Sequence, residues 1–241
     1  MARTNLLVTC TNNFGGLVGN GKIYRVPIFQ RDYSWQEENW EDLWQDILGL
    51  YQNPESSHYL GAIVLQSSDS NKEFTVIDGQ QRLATLSIMA IAIIEKINKL
   101  VQKEEHKEDN QERQKILREN YLGYKDPLSL RYSSKLILNE NNNDFYQGNL
   151  INLRRPRNIR ALSKSNQLLW KAFQYFSDQL EKLPDVVQSG EKLTEFLTET
   201  VAQRPLFIQI NVENELNAYT VFETLNARAC HQFNQTTAAA R

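Results

Sequence analysis

Phe74-Thr75-Val76-Ile77-Asp78-Gly79-Gln80-Gln81-Arg82 is the stretch on which the reading of this chain turns. Its first four residues are a β-strand run, and Asp78-Gly79 passes straight into a helical pattern. Leu83, Leu86, Met89, Ala90, Ile93, Ile94, Ile97, Leu100 and Val101 recur at helical spacing and give that helix a broad buried face. Glycine at the junction lets the backbone turn tightly and come close to a ligand. The amides of Gln80, Gln81 and Arg82 have no helical acceptors and lie at the positive end of the helix dipole. Such a helix start receives an anion readily. Arg82 can fork onto phosphate oxygens, and Asp78 can hold magnesium or position a water. The same spacing also occurs as plain turn chemistry with Arg82 in a surface ion pair. No GxxxxGK[ST] loop is present.

Working outward, residues 59–66 and 73–77 read as two strands joined by a polar turn. Ahead of them, Ser34 with Glu37 has the form of a capping box for a helix bearing Trp40, Leu43, Trp44, Ile47, Leu48 and Tyr51. Residues 23–26 run into Pro27 and are expected as an edge strand or an extended segment. The four glycines of residues 14–22 predict a loop. Residues 102–118 read as a solvated extension of the long helix or as a linker, since both charge signs alternate there. Beyond it the pattern predicts a strand over 131–138, an Asn-rich loop over 139–143 and a helix over 159–183 stopped by Pro184. A shorter helix around Leu193, a strand over 206–212 and a helix over 215–227 complete the pass. The fold class is therefore α+β. Residues 1–102 and 201–228 form the core, residues 103–200 a mainly helical lobe or insertion, and residues 229–241 a truncated or appended tail.

With 241 residues, 41% of them apolar and 23% charged, the chain can bury a sizeable core. Its 27 basic and 29 acidic residues leave a net charge of −2, which gives no general signal for nucleic acid. Cys10 and Cys230 form no CxxC pair, and His58, His106 and His231 are scattered, so zinc and a disulfide framework are not indicated. No signal peptide or membrane span is legible, and the chain is expected in the cytoplasm.

Two further segments carry dense polar and aromatic groups. In Pro27-Ile28-Phe29-Gln30-Arg31-Asp32-Tyr33-Ser34-Trp35, Gln30 and Arg31 can contact a base or phosphate, and Tyr33 or Trp35 can stack on a ring. For Phe29 and Trp35 the preferred reading is core anchors. In Phe222-Glu223-Thr224-Leu225-Asn226-Ala227-Arg228, the polar Glu223, Asn226 and Arg228 are candidates for the same pocket. The run Arg154-Arg155-Pro156-Arg157 can touch a phosphate backbone, or be a solvated loop.

PIFQRDYSW (27–35), DGQQR (78–82) and FETLNAR (222–228), with His58-Tyr59-Leu60-Gly61 ahead of the strand, together resemble the N-terminal domain of GmrSD-type modification-dependent restriction enzymes, a bacterial phage-defence family. The resemblance implies a ParB/sulfiredoxin-like core in which Gly79-Gln80-Gln81-Arg82 holds nucleotide phosphates. It implies nucleoside triphosphate (NTP) binding and slow hydrolysis with Mg2+, coupled to a His-Asn-His (HNH) nuclease module, C-terminal or on a partner chain. That module would act on DNA, possibly modified, while this chain would not cut DNA by itself. Gln30, Arg31, Tyr33 and the 78–82 turn would bind nucleotide, Asp78 would hold the metal, and Asp78 and Gln81 are the candidates for handling the attacking water. The glycine expected after Arg228 is Ala229 here. Sulfiredoxin chemistry does not carry over, because no cysteine lies near the turn. The alternatives are a ParB-like DNA-binding module using Arg154, Arg155 and Arg157, with nucleotide as a clamp signal, and a scaffold whose pocket has lost its function. A homodimer is left open.

Overall fold

The computed structural model describes residues 7–212 apart from 69–71, 127, 129 and 131. Along the chain run β1 (Leu7–Asn13), α1 (Phe14–Val18), β2 (Ile23–Arg25), α2 (Glu37–Gln52), β3 (His58–Ser67) and β4 (Glu73–Asp78). Then come α3 (Gln80–Gln102), α4 (Lys107–Tyr121), the hairpin β5 (Gly123–Lys125) and β6 (Tyr132–Ser134), and β7 (Leu136–Ile137). Helix α5 (Glu140–Phe145) widens into a π-type turn over Tyr146–Ile151. Helices α6 (Lys164–Glu181), α7 (Pro184–Val187) and α8 (Gly190–Glu195), a second π-type turn over Phe196–Val201, and β8 (Pro205–Val212) follow.

Six strands form one mixed sheet in the order β1-β8-β3-β4-β2-β7. β3 sits inside it, parallel to β8 and antiparallel to β4, and β2 is parallel to both β4 and β7. An inner strand is buried on both faces, which is why Ile63, Val64 and Leu65 run consecutively apolar. Ile63, Leu65 and Val76 belong to the main core with the helices, whereas Val64, Ile77, Ile210 and Val212 form a smaller cluster. That split follows the alternation of side chains along a strand. Helix α3 is the centrepiece: from Leu83 to Ile94 every residue is buried.

Several expectations are corrected. Residues 14–18 are helical despite two glycines, because Asn13 caps them (Gly16 N–H to Asn13 Oδ1, 2.7 Å) and Phe14, Leu17 and Val18 are buried. β2 lies inside the sheet rather than at its edge. Val26 still donates to Ile137 O at 2.8 Å, and Pro27 falls just past the ladder, where a missing N–H costs nothing. Helix α2 begins at Glu37 with Gln36 as its cap, whose N–H donates to Asn39 Oδ1 at 3.1 Å, so Ser34 is not the capping residue.

The Asn-rich stretch is the start of α5, since Asn142 turns inward. It accepts from Tyr33 N–H at 2.8 Å and donates to Ser165 Oγ at 2.9 Å. Residues 107–121 form a separate helix after Glu104 and His106 adopt positive φ, and its Asn110, Leu117 and Tyr121 are buried. β1, which no pattern announced, pairs with β8 over Leu7↔Val212 to Asn13↔Leu206. Segment 103–200 supplies β7 to the sheet as well as helices.

Candidate functional site

The strand–glycine–helix junction is built as the sequence predicts: β4 ends at Asp78, Gly79 is left-handed at φ 93°, and α3 starts at Gln80. A Cβ on Gly79 would lie 2.9 Å from Ile63 Cγ1, so close packing against β3 alone demands glycine here. Gly61, also at positive φ (96°), opens space of a different kind. A Cβ there would meet the Arg82 guanidinium at 3.3 Å.

Arg82 is half-buried, with Nη1 donating to Ala62 O at 2.6 Å, and is not in a surface ion pair among the described residues. Burial works against its charge and Asp78 partly offsets this. The group stays protonated.

The loop carrying residues 27–35 folds over this corner and is fastened to it. Gln30 Nε2 donates to Ile77 O (2.8 Å), and Gln80 Nε2 donates to Gln30 Oε1 (3.1 Å). Gln81 Oε1 accepts from Ser34 N–H (2.9 Å) while its Nε2 donates to Asp32 O (3.2 Å). Gln80 and Gln81 are thus buried clasps. Both ends of the Gln81 amide are engaged, so it cannot orient an attacking water without releasing the loop.

Tyr33, expected to stack on a ligand ring, is a core residue at 4% exposure. Its hydroxyl meets Thr85 Oγ1 at 2.7 Å and accepts from Trp40 Nε1 at 2.9 Å. Burial pushes its ionisation well above the ordinary phenol range, so it is neutral. Trp35 packs partly buried against the core, as expected, but Phe29 is 73% exposed and is no anchor.

Asp32 was not singled out from the sequence. Its carboxylate accepts from Asn139 Nδ2 (2.7 Å), Asn141 Nδ2 (3.0 Å) and Ser165 Oγ (3.3 Å), tying the loop to α5 and α6. Its only sequence signal was its place inside the 27–35 box. Arg31, by contrast, is exposed at the lip and has no ion-pair partner among the described residues.

The cavity enclosed by Arg31, Tyr33, Gln80, Gln81, Asn139 and Asn142 measures about 10 Å³. That is room for roughly one water. Little space is left between the 27–35 loop and Gln80–Gln81.

Glu223, Asn226 and Arg228 lie outside the described residues. Arg154, Arg155 and Arg157 are exposed, without ion-pair partners among the described residues. They follow the end of α5, where Arg154 N–H donates to Asn149 O at 2.7 Å. No cluster of three or more His, Cys, Asp or Glu suited to a metal occurs among the described residues, and no described helix is long and apolar enough to cross a membrane.

A mixed-sheet α+β protein whose strand–glycine–helix corner is clasped by an upstream loop is the class that fold and site define. The family model described as the N-terminal domain of GmrSD restriction endonuclease matches residues 14–232. The chain belongs to that family and is a component of a restriction and phage-defence system. The match runs past Arg228, the last residue of the third box. A comparison with curated proteins finds no match.

Proposed function

We propose that this chain is the nucleotide-responsive regulator of its restriction system, with a triphosphate seated at the Gly79–Arg82 corner and its state controlling a separate HNH nuclease module that acts on DNA. The observation that carries this reading is the clasp. Two sequence boxes about fifty residues apart meet through Gln30, Gln80 and Gln81 at a helix start, with the unpaired Arg31 beside it. A ParB/sulfiredoxin-like relationship of the core is part of the same proposal.

A triphosphate does not fit the closed cavity, so binding entails loosening the clasp. The first-turn amides and Arg31 then face the phosphates, and the Gln30–Gln80 bond is exchanged for bonds to the ligand. Nucleotide therefore selects between a clasped and an unclasped loop. Asp78, half-buried beside Arg82, is the carboxylate that would hold magnesium, an ion that takes one or two protein carboxylates and otherwise phosphates and waters. Bound there, the ion would neutralise phosphate charge. Asp78 is the remaining candidate for positioning a hydrolytic water.

The test is calorimetric titration of the chain with each of the four ribonucleoside triphosphates and magnesium. Arg31→Ala is the clean variant, because an exposed, unpaired arginine contributes under about 0.5 kcal/mol to stability. At least tenfold weaker binding with unchanged melting is expected. Absence of binding by the wild type, or full affinity in Arg31→Ala, would overturn the reading.

A second reading draws on the exposure of Arg154, Arg155 and Arg157 without carboxylate partners, which suits contact with a phosphate backbone. Salt-sensitive retention of plain DNA without nucleotide, lost on replacing these arginines, would favour it.

A further inference from the structure

About 20 Å along α3 from the clasped corner, at 1.5 Å per residue, a second site is assembled from α3, the turn after α5, and α6. Its cavity measures about 330 Å³, within the lower range of small-molecule sites. Glu95 enters it from α3, Arg155 from the turn, and Trp170, Phe173 and Ser177 from α6.

Three observations single it out. First, four buried side-chain polar atoms among the described residues lack a hydrogen-bond partner, and three of them belong to this lining: Glu95 Oε2, Trp170 Nε1 and Ser177 Oγ. An uncompensated orphan costs about 1–3 kcal/mol, so the concentration of such atoms in one cavity calls for a partner, most of all for Trp170 Nε1 and Ser177 Oγ. Trp170 is 7% exposed, and Glu95 Oε2, though without a hydrogen bond, is ion-paired with Lys99 Nζ at 3.3 Å. Second, Trp170 and Phe173 stack with centroids 5.1 Å apart and give the cavity an aromatic wall. Third, Leu153 in the lining is held at φ 53°, a conformation that burdens a side chain with a branched γ-carbon. That turn is fastened by Asn149, whose Nδ2 donates to Arg154 O at 3.1 Å, and it brings the unpaired Arg155 to the rim.

The polar groups specify a ligand. Glu95 can accept an N–H beside its ion pair with Lys99, Trp170 needs an acceptor, Ser177 serves either, and the wall suits a flat ring. Arg155 at the rim suits a phosphate on the same molecule. Two carboxylates (Glu95, Asp178) and two cations (Lys99, Arg155) leave the lining without net charge, which disfavours a bare anion.

We infer that this cavity binds a single nucleotide unit, its base against Trp170 and Phe173 with Glu95 and Trp170 Nε1 reading the edge, and its phosphate on Arg155. The unit comes either from a free mononucleotide or from a base turned out of a strand, for which Arg154 and Arg157 would hold the flanking phosphates. No covalent step is involved. The site is separate from the clasped corner and stands whether or not the corner binds triphosphate.

The experiment titrates the full chain, without magnesium, with 5′-mononucleotides, with a single-stranded oligonucleotide, and with an oligomer of abasic sugar-phosphates, following tryptophan emission. Base stacking on Trp170 is expected to quench part of the emission of the four tryptophans, and Trp170→Phe is expected to lose that quenching. Glu95→Gln is expected to weaken binding at least tenfold, with the circular dichroism melt retained in both variants. Saturation by mononucleotides assigns a free ligand. Saturation by the oligonucleotide but by neither mononucleotides nor the abasic oligomer assigns an extruded base. If no nucleotide quenches, if abasic and normal strands bind alike, or if Glu95→Gln binds as well as the wild type, the cavity holds only water and the inference is overturned.

Discussion

The two ends of α3 solve opposite problems. At its N-terminus the Gly79 corner carries a dense motif whose Gln30, Gln80 and Gln81 side chains bond one another and the backbone. Among its described buried side-chain atoms Asn139 Oδ1 alone lacks a hydrogen bond, and the cavity under the loop is about 10 Å³. Toward its C-terminal half lies a cavity of about 330 Å³ that no motif announces, with three orphaned polar atoms in its walls. A filled corner and an open cavity teach different things. Under the proposed function the clasped corner must change to bind, whereas under the inferred nucleotide site the cavity gains by binding.

The sharpest way to break this contrast is to strain the corner. Gly79→Ala forces a side chain into a left-handed conformation and to within 2.9 Å of Ile63 Cγ1, and should cost about 2–4 kcal/mol in urea unfolding. A loss near zero would mean that the corner is not tightly built.

Next in size is Tyr33→Phe. It leaves Trp40 Nε1 without its acceptor, and Thr85 Oγ1 keeps only its bond to Gln81 O, so a loss of about 1–3 kcal/mol is expected by the same assay. Glu181→Gln removes the partner of Lys96, whose ammonium is buried while Glu181 is largely exposed, and about 1–2 kcal/mol is expected after discounting for solvent. The hydrogen bond from Lys96 lowers the ionisation of Glu181. A carboxyl depressed by folding stabilises above its unfolded range and loses that contribution as pH falls through its lowered one. Wild type and Glu181→Gln should therefore converge in stability on acidification, and a gap that persists at low pH would contradict the ion pair. Smallest is Ser177→Ala, which deletes an orphan and with it a desolvation cost, so a gain of about 1 kcal/mol is expected, opposite in sign to Tyr33→Phe.

Most of the sheet and α3 were legible because their signals are local. Consecutive apolar residues marked β3, a period of 3.6 marked α3, and Asp78-Gly79 marked the junction. What escaped was decided by tertiary partners. Asn142 reads as a loop former until Tyr33 N–H and Ser165 Oγ are placed around it. Gly15 and Gly16 read as loop until Asn13 caps them, and β1 becomes visible only beside β8. In the corner, the composition of the 27–35 and 78–82 segments predicted that they matter, but not that Gln30, Gln80 and Gln81 would spend themselves on one another. The α3–α6 cavity was illegible for a plainer reason: Glu95, Leu153, Trp170 and Ser177 each read as ordinary helix or loop residues, and only packing turns them toward one space.

Hydrogen exchange at the clasp tests the central claim most directly. Saturating triphosphate with magnesium should speed exchange of the Ser34 amide, now bonded to Gln81 Oε1, along with the rest of residues 30–35. Nucleotide that binds while leaving exchange across that loop unchanged would contradict the account.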